Sequence, residues 1–337
     1  MTTSLTLTHL RFDAVACTPV KLGEQQAGER LRDALAQVML RTVCPETHRT
    51  QKPSPEHAAA CPACWLLAAE VDPGEVRRAY ALVPPHPAPD LIAPGKAFSF
   101  VLTLFGQGFQ YLPYFVLAVP EMGRIGVGPG RGQFELQAIW NMHPLSGQVE
   151  AVLRPGEKVV RVPQGRLDWQ AVQEAANGWN EREHPGKSLK IQFLTPTRLV
   201  DDGCLVKSPD FGVFFRRLLQ RIDQLGQQYA AEARRSPEEV TRLNSLADQV
   251  RLVEAEVGWV DLWGPSNRTG RPTPMGGFMG WASYRARDWK PLLPWLLLGQ
   301  ATQVGKLAVK GNGAYQLVLP GRPGYWEQVF GQTLQAG

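Results

Sequence analysis

The chain has no long apolar run. Its most apolar stretch, Pro291 to Gly299, is far too short to span a bilayer, so no membrane anchor is expected. The opening residues MTTSLTLTHLRF lack the basic segment and apolar core of a secretory leader. Cysteine is scarce, five in 337 residues. Without an export signal, this excludes a disulfide framework and points to a reducing, cytoplasmic compartment. An excess of one charge is also missing. Thirty-six basic and 31 acidic residues leave a net charge of +5 and a pI near 9.0, which permits nucleic-acid binding without requiring it. No cluster of carboxylates suited to holding two metal ions stands out. Histidine, the side chain that titrates near neutral pH, occurs six times, so few groups are available for proton transfer.

What is present is an ordinary globular composition, 44% apolar, over a length that suggests two domains. The hydrophobic pattern repeats. In the first half, Leu5 to Phe12 alternates as a strand, with a phase slip at His9 of the kind that marks a bulge. Gly23 to Val43 is helical, with Ala27, Leu31, Leu35, Val38 and Met39 on one face. Arg77–Val83, Phe98–Leu104 and Gly132–Ile139 are strands, and Pro113 and Pro120 limit the helix between Gln107 and Met122 to short or broken pieces. In the second half, strands are expected at Leu189–Leu194, Val253–Trp263, Phe278–Tyr284 and Ala314–Leu319. Helices are expected at Asp210–Ala233, after the N-cap Ser236, and at Trp289–Val304. Each half is therefore β-α-β-β-α-β, the ferredoxin-like unit of an α+β protein. The boundaries are 1–153, with a cysteine-containing insertion at 44–68; a Gly-, Pro- and charge-rich linker at 154–187; and 188–337.

The stretch Met275 to Leu319 reads strand, helix, glycine-rich turn, strand. Its turn, VGKLAVKGNGAY, sets Lys306 and Lys310 among Gly305, Gly311 and Gly313. This segment resembles the C-terminal signature of the CRISPR-associated endoribonuclease that processes precursor CRISPR RNA, the sixth numbered Cas family of the RAMP superfamily. The matching elements are Gly276, Gly277, Phe278 and Gly280; Leu292 to Gly299; and Val304 to Tyr315, with Leu307 standing where many members have glycine. DLWGPSNRTGRPTPMGGF and LKIQFLTPTRLVDDGCLVKSPDF resemble the family's approach to that strand and its mid-chain strand and loop. FSFVLTLFGQG and GRIGVGPGRGQFEL resemble their first-half counterparts. The resemblance implies two tandem ferredoxin-like, RAMP/RRM-like domains. It also implies metal-independent cleavage of repeat RNA by attack of the 2′-hydroxyl on the adjacent phosphate. The crRNA would be retained or passed to an effector complex of other Cas proteins.

Such chemistry needs a proton acceptor and a cation for the phosphate. The resemblance places a catalytic histidine after the first helix with a lysine a few residues on. His48 and Lys52 fit, with Arg49 beside them, and His57 in the same loop is the alternative base. RNA would be held by two glycine-rich segments and nearby arginines: Arg124 and Arg131 in GRIGVGPGRG, Gly305, Lys306, Lys310, Gly311 and Gly313 in the C-terminal turn, and Arg268, Arg285 and Arg287 around the adjoining strand. GRIGVGPGRG precedes a strand instead of opening a helix after one, which excludes a dinucleotide fingerprint. The insertion also holds Cys44 and the pair Cys61 and Cys64, at a spacing suited to metal thiolates. His48 or His57 would complete a tetrahedral zinc site of structural type; the alternative is that the cysteines are buried or free thiols holding no metal. Two alternatives stand beside the endonuclease: a non-catalytic crRNA-binding subunit of the same fold, and a zinc-stabilised interaction module unrelated to RNA.

Overall fold

The computed structural model describes residues 2–46, 53–68, 78–179, 188–264, 272–319 and 322–331. The first half comprises β1 (Leu7–Ala16), β2 (Val20–Lys21), α1 (Ala27–Thr42), α2 (Pro55–Ala60), α3 (Pro62–Ala68), β3 (Tyr80–Val83), β4 (Leu91–Ile92), β5 (Ala97–Phe105), α4 (Leu112–Ile125), β6 (Phe134–His143) and β7 (Gln148–Leu153). Helix α5 (Trp169–Asn177) follows, capped by Asp168, whose side chain accepts from Ala171 N at 2.9 Å. The second half comprises β8 (Ser188–Thr197), β9 (Leu199–Asp201), β10 (Cys204–Val206), α6 (Phe211–Tyr229), α7 (Pro237–Asp248), β11 (Arg251–Val260), β12 (Trp263–Gly264), β13 (Thr273–Pro274), β14 (Gly277–Arg285), α8 (Leu293–Thr302), β15 (Tyr315–Val318) and α9 (Tyr325–Phe330).

Two antiparallel sheets carry the architecture. The first runs β3-β5-β1-β6-β7 and the second β11-β14-β8-β15. Setting aside the added edge strand β7, both have the strand order of a ferredoxin-like unit, so the chain holds two of them in tandem. The helices form where the apolar spacing demands. Ala27, Leu31, Leu35, Val38 and Met39 of α1 are all buried. In α6, Phe211, Phe214, Phe215, Leu218, Leu219, Ile222 and Leu225 are buried behind an Asp210 cap that accepts from Val213 N at 2.8 Å. Ser236 caps α7 as expected, and Pro237 occupies a first-turn position where a missing N–H costs nothing. Among the described residues, no helix is long and apolar enough to cross a membrane.

Two local expectations are corrected. The helix limited by Pro113 and Pro120 is instead continuous. A 3-10 segment over Gly106–Tyr111 leads into α4, where Pro113 occupies a tolerated first-turn position and Pro120 is accommodated inside. The phase slip at His9 is not a bulge, because β1 pairs without interruption with β5 through it. Leu10, Phe12 and Ala14 lie on one face and Leu7 and His9 on the other, and both faces are buried there. The His9 face is covered by α9, with Tyr325 Oη 2.9 Å from His9 Nε2. The irregularity lies at Asp13/Ala14, against β6.

Candidate RNA interface

The glycine-rich turn after α8 folds against its own chain. Val304 N donates to Gly313 O at 2.9 Å, closing the neck. Gly313 has φ +76, and a Cβ there would lie 1.9 Å from Val304 O, so no other residue fits. The amides of Lys306, Lys310, Gly311, Asn312 and Gly313 all donate to carbonyls of this protein. These five amides are therefore engaged within the protein. Leu307, in the position of a family glycine, takes the left-handed conformation at φ +73.

The turn also joins the two halves. Lys310 Nζ donates to Glu29 Oε1 of α1 at 2.7 Å, with both side chains mostly buried. A Cβ on Gly28 would lie 2.1 Å from Lys310 O, so α1 needs glycine at this closest approach. Gln303 Nε2 donates to Leu82 O of β3 at 2.9 Å. Lys306, by contrast, is exposed, and no ion pair engages it among the described residues.

Beside this joint runs a groove of about 430 Å³ between α1, the first glycine-rich segment and β12, lined by Arg30, Gly126, Gly128, Pro129, Arg131 and Trp263. The first segment folds as a hairpin closed by bridging between Val127 and Gly132. Arg131 lies at its tip, exposed, with φ +49. Acidic residues also line the groove, but Glu29 is neutralised by Lys310 and Asp33 by Arg32 at 2.9 Å. The groove thus holds the exposed Arg131 and the half-buried Arg30, whose guanidinium donates to Lys21 O and Gln26 Oε1, beside an indole that is 60% exposed. Cations next to an aromatic platform are the features that hold phosphates and stack bases. Sequence patterns do not single out Arg30 or Trp263. Trp263 has a signal, the aromatic in DLWGPSNR; Arg30 sits on a helix face that reads only as polar.

The remaining expected RNA contacts disperse. Arg124 is exposed and pairs in two-pronged fashion with Glu121 of its own helix. Arg285 and Arg287 are exposed at the end of β14 remote from Gly277, roughly 26 Å away at 3.3 Å per residue, and so far from the glycine-rich turn. There Arg285 faces Arg251 across the strand pair. Trp281 is covered by Lys190, whose ammonium is 3.5 Å from the ring centroid, and Trp289 is core. His48, Arg49, Lys52 and Arg268 lie outside the described residues.

The insertion brings Cys44, His57, Cys61 and Cys64 together, with one ligand atom from each within 4.8 Å of all the others. Cys44 Sγ is 3.5 Å from His57 Nε2 and 3.7 Å from Cys64 Sγ. His57 Nδ1 is 3.1 Å from Glu46 Oε1. Of the other described histidines, His9 is fully buried and pushed down to about 3, chiefly by desolvation, so it stays neutral. Burial also lowers His86. His143 closes a turn against Ser146.

Residues 191–315 match the family model of the CRISPR-associated endoribonuclease Cas6, and residues 5–165 match a model described as an N-terminal domain. Residues 191–315 therefore form a Cas6-type domain. The Cas6 match begins in β8 and ends in β15, so it contains the glycine-rich turn with Lys306 and Lys310. Solved structures match this fold. A Thermus thermophilus Cas6 superposes with a TM-score of 0.55 at 15% identity, over 94% of this chain and 99% of that one. A Cas6 product complex gives 0.55 at 16% identity, covering 93% of this chain and 99% of that one. A partial Cas6-RT-Cas1–Cas2 complex gives 0.60 at 12% identity, covering 95% of this chain and 47% of that one. No curated protein matches in sequence.

Proposed function

We propose that this protein cuts precursor CRISPR RNA within its repeat and keeps the product for an effector complex. The 2′-hydroxyl attacks the adjacent phosphorus, the 5′-oxygen leaves, and no metal takes part in the step. The reading is carried by the Cas6 match over residues 191–315. It is supported by the groove of Arg30, Arg131 and Trp263 beside the turn that presents Lys306. His48 is the proposed base, since His57 lies within the cysteine cluster, and Lys52 is the proposed phosphate cation. One similar structure is a Cas6 with its product and another is a Cas6 within a complex holding Cas1 and Cas2, which fits product retention and Cas partners here. The test is incubation with the cognate repeat RNA in EDTA, followed by end mapping. A 5′-hydroxyl and a 2′,3′-cyclic phosphate are expected. A requirement for added divalent metal, or 5′-phosphate ends, overturns the mechanism. Binding without cleavage would make the protein a non-catalytic crRNA subunit.

The two lysines of the turn should separate. Lys306→Ala is expected to make the slope of log affinity against log salt shallower by about one, with no change in stability. Lys310→Ala strands the carboxylate of Glu29 inside the joint between the halves. Its expected cost is about 3 kcal/mol of stability, the scale for breaking a largely buried pair. Salt titration of binding and thermal melts of both variants check this. An unchanged slope for Lys306→Ala would remove that lysine from the RNA.

A further inference from the structure

The insertion after α1 is assembled around four side chains that the proposed cleavage step, with His48 as base, does not use. Cys44 lies two residues past the end of α1, His57 lies in α2, Cys61 joins α2 to α3, and Cys64 lies in α3. The three cysteines are 6% exposed or less. We infer that Cys44, His57, Cys61 and Cys64 form a structural zinc site of the three-thiolate, one-imidazole type. This inference is independent of the proposed RNA chemistry.

The geometry excludes a disulfide and fits a metal site. A disulfide needs a sulfur separation of about 2.05 Å, and Cys44 and Cys64 are 3.7 Å apart. Two of the six ligand-to-ligand edges also have the lengths that a coordination tetrahedron requires. With Zn–S near 2.3 Å and Zn–N near 2.05 Å, tetrahedral angles give S···S of about 3.8 Å and S···N of about 3.6 Å. The observed edges are 3.7 Å for Cys44–Cys64 and 3.5 Å for Cys44–His57 Nε2. The second nitrogen of His57 meets Glu46 Oε1 at 3.1 Å. A carboxylate on the remote nitrogen fixes the tautomer and leaves Nε2 to the metal, the usual outer-shell arrangement of a zinc histidine. Four protein ligands leave no open position for substrate or water, so the site is structural.

The metal's role follows from what it would tie. Helices α2 and α3 are short, and isolated helices of that length are not stable in water. Zinc would fasten both to the end of α1. Trp65 of α3 then packs on Tyr111 at 4.5 Å and on Tyr229 of α6 at 5.6 Å between centroids, so the insertion touches the second half as well. Zinc would thus hold the insertion as a strut across the two ferredoxin-like units.

The test needs no RNA. Protein made in zinc-supplemented medium, purified under reducing conditions without a metal-affinity tag and desalted, should carry about one zinc per chain by elemental analysis. Cys64→Ser and Cys44→Ser should each lose nearly all of it, while the double variant Cys17→Ser/Cys204→Ser, altered outside the cluster, should retain it. Two readouts on wild-type protein guard against variants that fail to fold. Cobalt exchange should give the absorption of a tetrahedral site with thiolate-to-metal charge transfer. Zinc should also raise the Tm of apo wild-type protein in a concentration-dependent way. Folded wild-type protein without stoichiometric zinc, octahedral cobalt spectra, or full zinc retention in Cys64→Ser would each overturn the inference.

Discussion

A repeat RNA with one 2′-deoxy nucleotide immediately 5′ of the cut should bind this protein with unchanged affinity and remain intact. In the proposed step the 2′-oxygen is the nucleophile, so its removal leaves the scissile phosphate with nothing to attack it. Precise alignment of attacking oxygen, phosphorus and leaving oxygen supplies much of the acceleration in such a reaction, and none of it survives loss of the attacking atom. Affinity rests elsewhere. The groove offers Arg30, Arg131 and the Trp263 indole, and the turn offers Lys306. In the proposed binding mode these residues address phosphates and base faces, which a deoxyribose leaves in place. The salt dependence of binding should therefore match that of the all-ribose RNA. Single-turnover cleavage and filter binding on the paired substrates check both halves of the statement. Cleavage of the deoxy RNA at a comparable rate would require an external water as nucleophile and would sink the mechanism.

Much of the fold was legible because it depends on local periodicity. The buried stripe of α1 and the caps Ser236 and Asp210 follow from neighbours three and four residues apart, and the structure keeps them. What depended on distant packing was not legible. β1 is buried on both faces because α9, more than three hundred residues later, lies over His9; sequence could register only a broken alternation. The edge strand β7 has a single buried side chain, Val152, too little for a period to emerge. Exposed throughout from Arg251 to Glu256, β11 draws its pairing from β14 and not from an apolar face of its own. At the candidate site, a lysine in a glycine-rich turn reads the same whether it faces phosphate or a carboxylate. Lys310 meets Glu29, a partner 281 positions away that no local pattern announces. The histidine beside the cysteines was open between His48 and His57 for a similar reason. Spacing admits either, and only the placement of α2 brings His57 Nε2 to Cys44.

That placement sharpens the expectation for His48. If His57 holds zinc, its imidazole has no free nitrogen for proton transfer, one facing the metal and the other facing Glu46. His9 is sealed in the core. His48, which lies outside the described residues, follows Cys44 by four positions in the sequence. His48→Ala is expected to lower the single-turnover cleavage rate by roughly 100-fold or more, the scale for losing a general base. RNA affinity should hardly change, because a neutral imidazole adds no charge toward phosphate. Zinc content should stay at the wild-type level, which separates this variant from Cys64→Ser, where the metal is lost and any fall in rate reflects a loosened insertion. The pH profile gives a further readout. The pH dependence of the single-turnover rate should change in His48→Ala if His48 is the base. A near-wild-type rate for the variant would move the base to another residue. Loss of zinc from it would make His48 a ligand in place of His57, and its effect on cleavage would then be structural.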